Sequence, residues 1–139
     1  VSGRAASPAN KFEAGKRPMS TMTPTMVFNR SGELTLVTGS PGGSFIPAAV
    51  LRVVSGIIDF NLNIGEATML PRIHKDWPYS GLDHESILSS DISRQLGIMG
   101  HQPESQKTMG STQSIHIKDG INYGYADLRR PGAAVSIQR

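Results

Sequence analysis

The chain has 139 residues, 37% of them hydrophobic and 18% charged, which suits one folded domain or a piece of one and excludes disorder throughout. Fourteen basic against eleven acidic side chains give a formal charge of +3, spread toward the ends in Arg4, Lys11, Lys16, Arg17, Arg129, Arg130 and Arg139. That is too diffuse for a nucleic-acid footprint, which gathers Lys and Arg on one face among aromatics. With no cysteine, the chain has no disulfide framework, thiolate zinc site or cysteine nucleophile, and its redox compartment stays open.

Residues 1–18 are rich in Ser, Ala, Pro, Gly and Lys, carry only Phe12 as a large apolar side chain, and read as an irregular lead-in. They lack the apolar stretch of a signal peptide, and Val1, in place of an initiator Met, reads as an end made by processing or cloning. Thr25-Met26-Val27-Phe28 and Leu34-Thr35-Leu36-Val37 flank Asn29-Arg30-Ser31-Gly32, so a β-hairpin is expected there. The second strand feeds Thr38-Gly39-Ser40-Pro41-Gly42-Gly43-Ser44, after which Ile46, Val50, Leu51, Val54, Ile57 and Ile58 recur at helical spacing. A core helix is expected over 45–58, with Pro47 tolerated in its first turn.

Asn63 and Glu66 form a capping-box pattern for a helix from Ile64 to Leu70, which Pro71 ends. Residues 71–88 read as irregular. Ser90 is placed to cap a short helix carrying Ile92 and Leu96, with Gly97 as its stop. Ser114–Lys118 and Ile121–Tyr125, joined by Asp119-Gly120, carry the strongest hairpin signal of the chain. Strands before and after a set of helices predict an α+β layered fold, with one strand pair from each end sharing a sheet. No run approaches the roughly twenty apolar residues of a bilayer span.

Backbone N–H groups at a helix start lack intrahelical partners and point at whatever lies in front of them, so the glycine loop is where chemistry would sit. On the residues alone, Gly42 and Gly43 are still a plain strand-to-helix turn before they are a site, and Ser20 and Thr21 are loop hydroxyls bonding their own backbone. A phosphate loop is disfavoured because no Gly-Lys-Ser/Thr follows the glycines. His74, His84, His101 and His116 show no metal-ligand spacing, and His116 alternates with Ile115 and Ile117 on a strand. Asp76, Asp83 and Glu85 read as solvated loop carboxylates, Trp77 and Tyr79 as packing for a loop or interface, and Arg17 as a structural cation.

Several segments together closely resemble the small subunit of γ-glutamyltransferases (γ-glutamyl transpeptidases). They are Lys16-Arg17-Pro18-Met19-Ser20-Thr21-Met22-Thr23-Pro24-Thr25, the glycine loop, Glu66-Ala67 with Pro71-Arg72-Ile73-His74, and Met109-Gly110-Ser111-Thr112-Gln113. The resemblance runs from about Lys11 to about Arg129. It implies a partial αββα sandwich of the N-terminal nucleophile hydrolase type, lacking upstream strands, in which residues 19–139 are the C-terminal part of the small-subunit domain.

In that family a precursor cuts itself, and the threonine so exposed attacks the γ-carbonyl of glutathione or another γ-glutamyl compound, using its own amine as base. The resulting γ-glutamyl-enzyme passes its acyl group to water, an amino acid or a peptide. The resemblance places Ser20 and Thr21 on the α-carboxylate of the glutamyl group, and Gly42 and Gly43 in the oxyanion hole. It implies no cofactor and no metal, a periplasmic or secreted location, and as partners a large subunit and the upstream part of the small subunit. The nucleophilic threonine is not in this chain, and Val1 has an amine but no hydroxyl, so the chain alone is expected to be inactive. Thr21 stands where the family commonly has a second serine. Asp127-Leu128-Arg129 replaces an Asp-Pro-Arg-like segment, a change expected to affect only the local turn. Relatives acting as cephalosporin acylases or on poly-γ-glutamate, and a non-catalytic structural fragment, are the alternatives.

Overall fold

The computed structural model describes residues 10–76 and 81–137, arranged in two sheets and three helices. Strands β1 (Thr25–Phe28) and β2 (Leu34–Gly39) form the expected first hairpin. Asn29 shapes its turn: the side-chain oxygen accepts the Ser31 and Glu33 N–H groups at 3.0 and 2.9 Å, and Gly32 supplies the positive φ of 85°. Helices α1 (Ile46–Ile58), entered through a 3₁₀ turn at Gly43–Phe45, and α2 (Ile64–Met69) follow. The capping box before α2 is complete, with Asn63 accepting from the Glu66 N–H at 2.9 Å and Glu66 accepting from the Asn63 N–H at 3.0 Å.

Strands β6 (Gln113–Lys118) and β7 (Ile121–Ala126) are the predicted last hairpin, turning through Asp119 and Gly120 at φ 52° and 74°. β6 pairs with β2, Leu36 opposite His116 and Thr38 opposite Ser114, so the two hairpins share one antiparallel sheet in the order β1-β2-β6-β7. One face of this sheet carries Val27, Leu36 and Tyr125 against Val53, Val54 and Ile57 of α1 and Ile64 of α2. His116 shares that face, opposite Leu36, and Ile115 on the other face is half-exposed. The chain after β7 turns back over it, where a Cβ at Gly124 would lie 3.2 Å from the Ala134 Cβ.

The segment 71–107 departs from expectation. It is not irregular throughout: β3 (Ile73–His74) and β4 (Gly81–Glu85) pair antiparallel, and β5 (Gln102–Gln106) adds in parallel to β4. The sequence Gln-Pro-Glu-Ser-Gln has neither alternation nor β-branching, and Pro103 is tolerated because β5 is an edge strand. Helix α3 (Ser90–Ile98) connects them, but Ser89, not Ser90, is its cap, accepting the Ile92 N–H at 3.3 Å. Gly97 lies inside the helix. The stop is Gly100 at φ 91°, whose N–H reaches the Gly97 carbonyl while His101 N–H reaches Leu96, both at 3.0 Å, a Schellman arrangement that needs its positive φ one residue past the cap.

Residues 10–18 are exposed, Phe12 fully so. Arg17 is exposed, and the ion pair in this stretch is Lys16 with Glu13. Trp77 and Tyr79 lie outside the described residues.

Helices α1 and α2 approach so closely at Gly56 that an added Cβ would sit 2.9 Å from the Ala67 Cβ. Alanine gains roughly 1 kcal/mol over glycine in a helix interior. Here the overpacking, typically about 1–3 kcal/mol, outweighs it. Gly56→Ala is therefore expected to lower the melting temperature of the complete protein containing this chain, read by differential scanning calorimetry.

Candidate active site

The end of β2 is pinned before the glycine loop begins, because buried Thr38 shares a 2.7 Å hydroxyl–hydroxyl hydrogen bond with Ser114 of β6. Four residues later the backbone enters conformations that only glycine adopts readily: Gly42 has φ 146° and Gly43 φ 59°. Gly42 also has no room for a side chain, since its Cβ would lie 3.0 Å from the Gly110 Cα. The Gly42 carbonyl accepts the Phe45 N–H at 3.2 Å, and the Gly43 carbonyl accepts the Ile46 N–H that opens α1. Among the described residues, the N–H groups of Gly42 and Gly43 donate to no backbone or side-chain acceptor. Both sit at the start of a 13-residue helix, whose N-terminal partial charge favours an anion in front of them.

The second pair of candidate residues comes to the same place. Thr21 Oγ1 donates to the Gly43 carbonyl at 2.7 Å, so the 20–22 segment lies against the glycine loop. Ser20 is exposed, and its Oγ accepts the Met22 N–H at 3.1 Å. That leaves the Ser20 hydroxyl proton to be donated outward, whereas the Thr21 proton is already committed.

Beneath the loop lies a cluster that periodicity did not reveal. Glu85, expected to be solvated, is instead 2% exposed, and Arg72 and Asp127 are 1% and 0% exposed. Arg129 grips Glu85 with two hydrogen bonds of 2.6 Å, and Arg72 Nη2 meets Asp127 at 2.6 Å. Arg129 also reaches Asp127 at 3.2 Å, and the Arg72 backbone N–H donates to Glu85 at 3.0 Å, closing a ring of two cations and two anions with no net charge. Glu85 could not be read from sequence spacing, because its partner is 44 positions away. Leu128, between the two buried charges, is exposed.

Part of the spare capacity of this ring goes to the Thr68 and Leu70 carbonyls and the rest to one strip of backbone. Glu85 accepts the Met109 N–H at 3.0 Å, Arg72 donates to the Met109 carbonyl at 2.8 Å, and Asp127 accepts the Thr112 N–H at 2.8 Å. Met109 to Thr112 is thus fixed at both ends. Between them Gly110, at φ 75°, touches Gly42, and the Ser111 N–H donates to Ser40 Oγ at 2.9 Å.

Burial alone would raise both carboxyls, but the Arg129 guanidinium and the Met109 and Arg72 N–H groups hold Glu85 below its usual range. For Asp127 the Arg129 N–H, the Arg72 guanidinium and the Thr112 N–H do the same. Burial pulls Arg72 down, partly offset by Asp127, and Glu85 outweighs burial to raise Arg129; both remain cations at neutral pH.

The remaining polar candidates do other work. His74 meets Asp76 at 2.9 Å and stands edge-on to Phe45, ring centres 5.1 Å apart, while Asp83 accepts from Gln106 at 2.8 Å. Among the described residues no three His, Cys, Asp or Glu side chains are grouped to hold a metal. A concavity of about 1130 Å³, lined by Asn63, Glu66, His116, Lys118 and Tyr125 among others, opens at the opposite end of the sheet from Gly42.

Likeness to solved structures places this α+β layered body in the N-terminal nucleophile hydrolase class. A gamma-glutamyltranspeptidase mutant of Helicobacter pylori superimposes with a TM-score of 0.83 at 40% identity, covering 89% of this chain and 69% of that one. The gamma-glutamyltranspeptidase of Pseudomonas nitroreducens complexed with L-DON gives 0.86 at 31% identity, covering 95% and 70%. The chain belongs to the gamma-glutamyltranspeptidase family, whose model matches residues 1–137. Among curated relatives, the glutathione hydrolase proenzyme of Escherichia coli K12 is 43% identical over 130 residues, 93% of this chain but 22% of that protein. The chain thus spans about a fifth of the length of that relative.

Replacing Glu85 by Gln leaves buried Arg129 with only the longer Asp127 contact, and breaking a buried pair in this way costs about 3–5 kcal/mol. Glu66→Gln, in the exposed capping box, is expected to cost about 1 kcal/mol or less. Denaturant unfolding of the complete protein distinguishes the two. Because the folded carboxyls of Glu85 and Asp127 lie below their unfolded values of roughly 3.9–4.3, their contribution is complete above that range. It is lost as pH falls through the lower folded values, so the acid unfolding transition of Glu85→Gln is expected to be less steep than that of the parent.

Proposed function

We propose that this chain is the part of a γ-glutamyltransferase (glutathione hydrolase) that stabilises the oxyanion and holds the donor's α-carboxylate. The observation that carries this reading is the pair of idle N–H groups at Gly42 and Gly43, held ahead of α1 with the segment after Ser20 bound against them through Thr21. In the complete enzyme a threonine from outside this chain attacks the γ-carbonyl, and the carbonyl oxygen becomes negative as the tetrahedral centre forms. Two fixed N–H donors about 3 Å from that oxygen are worth a hundredfold to a thousandfold in rate apiece. Collapse of the intermediate expels the leaving amine and leaves a γ-glutamyl ester, which water or an acceptor amine then attacks through the same oxyanion.

Ser20 and Thr21 line the carboxylate pocket in different ways. Ser20 donates its proton to the carboxylate, a charge-assisted hydrogen bond. Thr21, bonded to the Gly43 carbonyl, sets the distance between that pocket and the oxyanion loop. A large subunit, an upstream small-subunit segment and a periplasmic or secreted location belong to the same proposal and rest on the family.

The test compares a γ-glutamyl anilide with a 4-aminobutyryl anilide, which keeps the amine but lacks the α-carboxylate, in the complete enzyme. Ser20→Ala is expected to raise KM for the γ-glutamyl anilide about tenfold or more, the worth of one hydrogen bond to a charged group, and to leave the 4-aminobutyryl anilide as it was. An equal effect on both donors would remove Ser20 from the carboxylate pocket and favour a related acylase.

A further inference from the structure

The peptide that carries the Gly42 N–H also carries the Pro41 carbonyl, and in a planar trans peptide these point in opposite directions. Whatever holds the Pro41 oxygen therefore aims the Gly42 N–H. Neither neighbouring residue can do this alone. Proline fixes its own φ but not its ψ, and glycine resists almost no rotation, so the peptide between them is free to flip.

Ser40 supplies the restraint. Its Oγ donates to the Pro41 carbonyl at 2.7 Å and accepts the Ser111 N–H at 2.9 Å, so the hydroxyl is clamped from behind while it holds the carbonyl in front. Ser111 cannot drift, because Met109 and Thr112 on either side are tied to the buried carboxylates. Gly110 closes the remaining gap, with its own Cβ position only 2.7 Å from Ser40 Oγ and 3.1 Å from the Pro41 oxygen. The Gly43 N–H is aimed separately, through the Gly42 carbonyl bonded to Phe45.

We infer that Ser40 is a positioning residue of the oxyanion hole, its hydroxyl preventing a flip of the Pro41–Gly42 peptide that would turn a carbonyl toward the developing anion. This rests on the reading of Gly42 as an oxyanion donor. Ser40 itself touches no reacting atom. Its loss should spare ground-state binding and weaken only the stage at which the oxygen is negative.

In the complete mature enzyme, Ser40→Ala is expected to lower kcat on a γ-glutamyl anilide about tenfold to a hundredfold, short of the cost of deleting a donor outright, with KM unchanged. Affinity for a boronate analogue of the donor, whose tetrahedral oxygen occupies the oxyanion position, should fall by the same factor. Ser40→Cys, similar in shape but a weak donor, should fall between parent and alanine, and it carries the comparison if the alanine variant does not mature. Unchanged kcat and boronate affinity, or a change confined to KM, would overturn the inference. Gly42→Ala separates the two levels of argument. If Gly42→Ala loses boronate affinity and the Ser40 variants do not, the positioning role fails alone; if Gly42→Ala binds boronate like the parent, the oxyanion reading fails and takes the inference with it.

Discussion

Four buried side chains, Arg72, Glu85, Asp127 and Arg129, form the interaction on which the rest of the structure depends. Burying two cations and two anions is expensive, and ion pairs of this kind rarely add net stability over a well-packed apolar cluster. Their effect here is one of specification. Every carboxylate oxygen and most guanidinium nitrogens must find a partner, and the available ones are backbone groups of Thr68, Leu70, Met109 and Thr112. Segments distant in sequence are thereby brought to one place in a single register: the end of α2, the end of β4, the strip before β6 and the residues after β7.

The ring acts upward through a short relay. Buried charges fix Met109 and Thr112, those fix Gly110 and Ser111, and these contact Ser40 and Gly42. An exposed glycine turn, which would otherwise be the most pliable part of the chain, inherits the rigidity of a charged core three or four bonds below it. A rigid amide turn is what electrostatic stabilisation requires, because donors that must reorganise as charge develops give back much of their benefit. The helix behind the turn adds a favourable field without adding motion.

Much of this fold was legible in local chemistry. The Asn29–Gly32 and Asp119-Gly120 turns, the capping box at Asn63 and the helical periodicity of residues 46–58 each announce their element within a few positions. What was not legible depends on contacts far apart in the chain. β5 is a strand because β4 offers it an edge, not because Gln-Pro-Glu-Ser-Gln prefers to extend, and α3 ends at Gly100 because the αL position falls one residue beyond the cap. The site shows the same division. Gly42, Gly43, Ser20 and Thr21 stand out by motif, and the structure brings Thr21 onto Gly43. Ser40 and Glu85 do not, since one looks like any loop serine and the other like any surface carboxylate until Ser111 and Arg129 arrive from the far end of the sequence.

The contact between Gly42 and Gly110 has a consequence for how such a chain can change over time. A methyl group on Gly42 would claim the volume of Gly110, one on Gly110 would meet Ser40 Oγ, the Pro41 carbonyl and Ala49, and each glycine is held in a backbone conformation unfavourable to an L side chain. Neither position therefore has a neutral single step away from glycine, and a change at Gly42 cannot be rescued by shrinking Gly110, which is already as small as an amino acid can be. Adaptation to a new acyl donor would have to proceed around this point, through the loops that border it, leaving the two glycines as a fixed seam.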